Sequence, residues 1–177
     1  MPHWNTITWI IIVSVPLIGI ISLFISSSIA RRNKELLETV TRSNRGTATE
    51  RALVLNLLKN GIPAQTIFHD LYVKKPNGIY SQIDLVVVTS VGVIVIEVKE
   101  FSGWIFGNGK HSQWTQVLAY GKEKFRFYNP IMQNNSHIQT LKKQLKQFEK
   151  IPFFSIVVFY GDCVLKRLIS FQMEHFL

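Results

Sequence analysis

The sequence predicts a mixed α/β domain, a mixed sheet flanked by helices, carried behind a single N-terminal transmembrane helix. Three observations lead there. From Ile7 to Ala30 the chain carries no charged residue and is rich in Ile, Leu, Val and Phe, a run of 24 residues. As a helix such a run crosses a hydrocarbon core of roughly 30 Å. Two β-branched apolar runs, Ile83 to Val88 and Val93 to Val98, are separated only by Thr89-Ser90-Val91-Gly92, which reads as a hairpin. Around the hairpin the order is helix, strand, hairpin, long loop, helix, strand. A strand that follows the second helix can lie parallel to a hairpin strand through a right-handed crossover.

Pro16 and Gly19 interrupt the apolar run, which membrane helices tolerate. A secretory signal peptide would have a shorter apolar region with its positive charges in front. Here Arg31, Arg32 and Lys34 follow it. The positive-inside rule then places everything after Arg31 in the cytoplasm, with a short N-terminus outside and Trp4 and Trp9 near the outer interface of the cell membrane. The expected organisation is a single-pass anchor over residues 1–30, a basic juxtamembrane linker over 31–45, a folded domain over 46–165 and a short tail over 166–177.

With 177 residues and a net charge of +9, the chain allows one modest domain plus an appendage. A basic domain favours polyanions, either nucleic acid or the anionic inner leaflet, and charge alone does not choose between them. The lone Cys163 excludes a disulfide framework and a multi-cysteine zinc site, in keeping with a reducing cytoplasm. It is read as a passive residue.

Gly46 to Lys59 reads as the first helix of the domain. Thr47 or Thr49 can cap it, and Leu53, Val54, Leu57 and Leu58 form its apolar stripe. Glu50 falls on that same face. It is either a first-turn acid that favours the helix dipole and reaches solvent, or a third acid aimed at the hairpin. Asn60-Gly61-Ile62-Pro63 ends the helix. Thr66 to Val73 reads as a strand on which His69 and Asp70 point to opposite faces, so neither is given a catalytic role. Lys74 to Gly78 is a turn. After the hairpin, Glu100 to Gly109 fits short strand fragments or an irregular loop. Trp114, Phe125 and Phe127 are core candidates, with a stacking surface for bases as the alternative. Ser136 to Lys150 reads as a second helix buried through Ile138, Leu141, Leu145 and Phe148. Its Lys142, Lys143, Lys146 and Lys150 form a solvated face or contact phosphate. Phe154 to Tyr160 is a buried strand, and Gly161 to Leu177 shows no obvious closing element.

The chemistry concentrates at the open end of the hairpin. With a loop over residues 89–92, Val88 faces Val93, Val86 faces Val95 and Asp84 faces Glu97. Alternation then puts Gln82, Asp84, Glu97 and Lys99 on one face, and a slip of one residue would send Asp84 to the other. Charges at strand ends that meet solvent, with Glu97 and Lys99 as a weak surface pair, are the plain account. A divalent cation that relieves the repulsion between the carboxylates is the sharper one.

These residues resemble the nuclease-related domain, NERD, a family similar in turn to the PD-(D/E)XK nucleases. The resemblance rests on Gly46-x-x-x-Glu50, Ser81-Gln82-Ile83-Asp84, Gly92 to Lys99, Gly103, Trp114, Asn129-Pro130-Ile131-x-Gln133-Asn134 and His137. Thr49 stands where the family commonly has Gly, and Ile83 stands where the wider superfamily has its proline. The resemblance implies a restriction-endonuclease-like sheet and a membrane-anchored hydrolase of DNA phosphodiesters. It implies Mg²⁺ or Mn²⁺ on Asp84 and Glu97, with the Val98 carbonyl as a third oxygen and Glu50 completing the acidic cluster directly or through water. Lys99 would activate water and steady phosphate, Gln82 would stand beside it, and Gln133 would face the same site. A homodimer is left open, since related folds often work in pairs. The alternatives are a catalytically weak nucleic-acid-binding module and a membrane-tethered interaction module on the same fold.

Overall fold

A computed structural model describes residues 5–75, 78–145 and 150–169. The expected turn residues Pro76 and Asn77, Lys146 and Phe148 of the second helix, and residues 170–177 of the tail lie outside that set.

The first helix, α1, runs from Thr6 to Glu38. Its stretch Ser14–Glu38 is long and apolar enough to cross a membrane by length and composition alone. The helix passes straight through the basic cluster, with Arg31–Glu35 and Lys34–Glu38 spaced one turn apart at 3.9 Å, exposed pairs of small energetic weight. Beyond them Leu36, Leu37 and Val40 pack against the core of the domain. The linker is therefore docked at its C-terminal end.

Helix α2 spans Ala48–Lys59, and Thr47 caps it by accepting the Glu50 amide N–H, which satisfies one of the orphan donors of the first turn. The first sheet has the order β1-β2-β3-β7, with β1 Ile67–Lys74, β2 Tyr80–Thr89, β3 Gly92–Glu100 and β7 Phe153–Tyr160. The first two pairings are antiparallel, and β3 pairs with β7 in parallel, as the crossover rule requires. Thr89 pairs with Gly92, so the hairpin turn is Ser90-Val91, tighter than the four-residue break in the sequence.

Apolar side chains cover both faces of this sheet. On one side Val86, Val93 and Val95 meet Ile138 and Leu141 of the third helix. On the other Ile67, Leu85, Val87 and Ile96 meet Val54 and Leu58 of α2. Burial on two faces explains why the strand runs are almost continuously apolar.

Helix α3 spans Pro130–Gln144 and so begins well before the expected Ser136. The start is set by Asn129, whose Oδ1 accepts from the amides of Ile131 and Met132, with Pro130 at the first helical position. This is a strong N-terminal signal that the polar Gln133-Asn134 disguises as loop. The Asn129 Nδ2 donates to the carbonyls of Asn108, Gly109 and His111 at 3.3, 3.2 and 2.7 Å. Buried Asn134 ties α3 to the sheet through Val95 O at 2.8 Å, Ser155 Oγ at 2.9 Å and Ile156 O at 3.1 Å.

The stretch left between loop and strand fragments is a second four-stranded sheet, order β6-β5-β4-β8. Its strands are β4 Gly103–Asn108, β5 Gln113–Leu118, β6 Glu123–Tyr128 and β8 Cys163–Ile169. The segment without an obvious closing element therefore does supply a strand, and residues 166–169 of the expected tail belong to it. Glycines at 103, 107 and 109 break the apolar pattern in the sequence. Gly107 lies directly under the Trp114 ring, which a side chain there would displace. Trp114 also stacks on Phe159 with centroids 6.1 Å apart and meets Phe127 edge-on at 6.2 Å. Trp114 and Phe127 thus join the two sheets, whereas Phe125 is exposed.

Candidate functional site

The hairpin holds the expected register, with Val88 opposite Val93 and Val86 opposite Val95, and its last ladder pair is Leu85 with Ile96. Beyond that pair the strands part. The Asp84 Oδ2 accepts the Val98 N–H at 2.8 Å across the opening. Glu97, only 1% exposed, turns toward α3. Its Oε1 lies 2.6 Å from Lys99 Nζ and its Oε2 lies 3.4 Å from His137 Nε2. Lys99 in turn donates to Gln133 Oε1 at 3.2 Å. Val98 points its side chain at the α2 core. Glu97, Lys99, Gln133 and His137 therefore form one contiguous group between β3 and the first turns of α3.

Glu50 approaches from the α2 side. It is 5% exposed, which corrects the reading of a first-turn acid reaching solvent. Its Oε1 accepts from the Thr47 hydroxyl at 2.9 Å, and its Oε2 lies 3.3 Å from His69 Nε2. Gly46 makes room for this pair. Its φ is +59°, and a Cβ there would stand 2.5 Å from both Glu50 Oε2 and His69 Nε2.

A local inversion in the sheet brings these groups together. Asp70 has a φ of 55°, a left-handed conformation that non-glycine residues seldom adopt. Before it, Ile67 packs on the α2 side; after it, Leu71 and Val73 pack on the α3 side. Strand β2 changes face at the matching place, since Ile83 packs toward α3 and Leu85 toward α2. Asp84 sits at that change of face. His69 and Asp70 are consequently both buried, where simple alternation would expose one of them.

Gln82 also lands elsewhere than expected. Ser81 and Ile83 both face α3, the former through a 3.1 Å contact between Ser81 Oγ and His137 Nδ1, so Gln82 turns the other way. It donates to Asp70 Oδ1 at 2.8 Å and does not stand beside Lys99. Asp70 further receives Arg45 Nε on Oδ2 at 2.7 Å and Arg45 Nη2 on its carbonyl at 2.6 Å.

Two histidines that carried no role in the sequence reading thus back the two buried glutamates in matching fashion. Each imidazole offers Nε2 to a carboxylate, Glu50 or Glu97, and turns Nδ1 to a hydroxyl, Thr41 at 2.7 Å or Ser81 at 3.1 Å. Burial, opposed by the Glu50 and Asp70 charges, lowers the pKa of His69. Nδ1 shares a hydrogen bond with the Thr41 hydroxyl, and the neutral tautomer with its hydrogen on Nε2 points that hydrogen at Glu50 across 3.3 Å. His137 was within reach of sequence reasoning, since it stands four residues after Gln133 and so on the same helix face. His69 was not, because the inversion at Asp70 leaves no signature in residue type.

The electrostatics join the two sides. Burial, above all, and then the Glu97 charge push the Asp84 carboxyl up to about 6. The Val98 N–H works against this, Glu50 adds to it and Lys99 opposes it. Glu50 Oε2 and Glu97 Oε2 are buried facing His69 Nε2 and His137 Nε2 at 3.3 and 3.4 Å, and none of these four atoms completes a hydrogen bond among the described residues. Orphaned carboxylate oxygens around a carboxyl that resists ionisation suit a hard divalent cation. Among the described residues no three Asp, Glu, His or Cys side chains close into a ready-made cage.

A family model of the nuclease-related domain matches residues 45–160. The chain belongs to the NERD family. The match spans α2 through β7 and takes in both glutamates, Asp84, Lys99 and both histidines. The NERD chain is also 33% identical over 124 residues to an uncharacterized protein of Bacillus anthracis, an alignment covering 70% of this chain and 57% of that protein. The chain thus spans little more than half the length of that relative. No solved structure matches.

Proposed function

We propose that this NERD domain is a metal-dependent nuclease that hydrolyses DNA phosphodiester bonds at the cytoplasmic face of the membrane crossed by α1. The observation that carries the reading is the Lys99 ammonium meeting both Glu97 and Gln133, beside an Asp84 carboxyl that burial and the Glu97 charge push up to about 6. Mg²⁺ or Mn²⁺ held by Asp84 and Glu97, with Glu50 and the Val98 carbonyl nearby, would supply Lewis acidity for a bound water and for the phosphate charge. The chain's own groups do the rest. Lys99 is 22% exposed at its side chain, and its ammonium keeps a third N–H that a phosphate oxygen can accept. Gln133 and Glu97 hold that ammonium in place. His137 and His69 keep the outer oxygens of Glu97 and Glu50 turned inward, and the Asp84 carboxyl can take up a proton near neutral pH. The basic residues after the apolar run support the orientation with the domain inside the cell.

The test uses the full chain in lipid nanodiscs with DNA, with and without Mg²⁺ or Mn²⁺. Cleavage should need the ion and vanish in Asp84→Ala, Glu97→Ala and Lys99→Ala; cleavage that survives all three belongs elsewhere. The lack of a three-ligand cage among the described residues favours a second reading, a nucleic-acid-binding module without turnover, which binding without cleavage would select. The mass of the same particles reports whether two copies associate.

A further inference from the structure

The second sheet presents a face that the nuclease reading does not use. On one face Trp114 stacks on Phe159 and Phe127 meets Phe101, and Trp114 and Ile105 are buried. By alternation and cross-strand register, the opposite face carries Trp104 and Phe106 from β4, Gln113, Thr115 and the buried Val117 from β5, Lys124, Arg126 and Tyr128 from β6, and Val164 and Lys166 from β8. Lys166 Nζ stands 5.3 Å from the centre of the Trp104 ring, which places both on this side. Trp104 is 37% exposed and Tyr128 53% exposed. Three cations share the face with no acid on these strand positions, and no ion pair among the described residues engages Lys124, Arg126 or Lys166. A recess of about 320 Å³ opens beside Arg126, lined by His111, Ser112, Gln113 and Thr115. At the hairpin tip between β5 and β6, Tyr120 is 97% exposed and held at a φ of 55°.

We infer that this face is a binding platform for single-stranded nucleic acid. Aromatic rings spaced between unpaired cations match a strand whose bases offer π faces and whose backbone offers charge at every step. A duplex hides its base faces, so it would meet only the cations. The polar floor of Gln113, Thr115 and the Arg126 recess suits phosphate and base edges better than hydrocarbon. The platform also leads to the acidic site, because β6 ends at Tyr128, Asn129 caps α3, and Gln133 in its first turns meets Lys99. The proposal concerns binding and needs no cleavage, so it can fail or stand independently of the nuclease reading.

The experiment measures binding of the full chain, in phosphatidylcholine nanodiscs with EDTA, to a fluorescent oligonucleotide of about 20 nucleotides and to its duplex. The single strand should bind at least about tenfold tighter and quench tryptophan fluorescence. Trp104→Ala should weaken it by about 5- to 100-fold, the range for loss of one stacked base, whereas Trp104→Tyr should keep most of the affinity. Arg126→Glu should weaken it at least tenfold and flatten its salt dependence. If Trp104→Ala lowers folded content by circular dichroism, the exposed Lys124→Glu and Arg126→Glu carry the test. Equal affinity for the duplex, or full single-strand affinity in both charge reversals, overturns the inference. So does a face whose reversal releases phosphatidylserine vesicles and leaves oligonucleotide binding intact, which would assign it to lipid.

Discussion

Asp84 Oδ2 accepts the Val98 N–H at 2.8 Å at the point where β2 and β3 leave their common ladder. A side-chain carboxylate there takes the place of a backbone acceptor. The carboxyl is held by the fold while burial and two neighbouring glutamates resist its ionisation, and four expectations come from this arrangement.

In EDTA, Asp84 should make the domain more stable in mild acid than above neutrality. Its folded pKa of about 6 lies above the ordinary 3.8. The stabilisation is thus complete below about 4 and is lost as pH rises through about 6. Allowing for its partial exposure, ionised Asp84 costs on the order of 1–2 kcal/mol at pH 7.5. Asp84→Asn should therefore raise the metal-free melting temperature at pH 7.5, raise it by roughly half as much at pH 5, and have little effect below about pH 3.5. A lower melting temperature at both pH 7.5 and pH 5 would refute the assignment.

Mg²⁺ or Mn²⁺ should stabilise the wild-type chain above pH 6 by mass action, by about 2.7 kcal/mol at a hundredfold excess over Kd, and so raise its melting temperature. The increment should disappear in Asp84→Asn and Glu97→Gln. Thermal scans at fixed pH with stepped ion concentration read it directly, and an undiminished increment in both variants would place the ion elsewhere.

Gly46→Ala should disrupt the site without removing a charged group. The new Cβ would stand 2.5 Å from Glu50 Oε2 and His69 Nε2, on a backbone of positive φ. Strain and displacement together should cost about 2 kcal/mol or more. Chemical denaturation reports the loss, and metal-dependent cleavage should fall with it at temperatures where the variant remains folded.

His137→Leu should leave Glu97 Oε2 and Ser81 facing an apolar side chain. The expected cost is about 1–3 kcal/mol, with Ser81→Ala costing less because only one hydrogen bond is lost. A binding readout separates orientation from bulk stability. At a temperature where both proteins are folded, His137→Leu should weaken Mn²⁺ affinity, while Asn134→Ala, which loosens the same helix from the sheet, should not.

The residue types carry much of this molecule. The Ile83–Val88 and Val93–Val98 runs settle the hairpin, because β-branched stretches flanking a short break have one good pairing, but the ladder stops at Leu85 with Ile96, so the expected pairing of Asp84 with Glu97 does not form. The parallel β7 follows from an apolar strand after a helix. The second sheet was harder to read. Its strands are short and interrupted by glycine, and they are held by the ring contacts of Trp114 with Phe127 and Phe159, which link residues distant in sequence.

Sequence alone determined the apolar N-terminal helix and the hairpin register, since these depend on local pattern and on side-chain period, and it nominated a set of acids with Lys99. Only the tertiary structure decided how that set is completed. The inversion at Asp70 turns His69 inward, sends Gln82 to Asp70, and lets α2 and α3 press Glu50 and Glu97 toward Asp84 from opposite sides of the sheet. The physical reason is that a single left-handed residue changes which face every later side chain occupies, and no composition or spacing records a backbone angle.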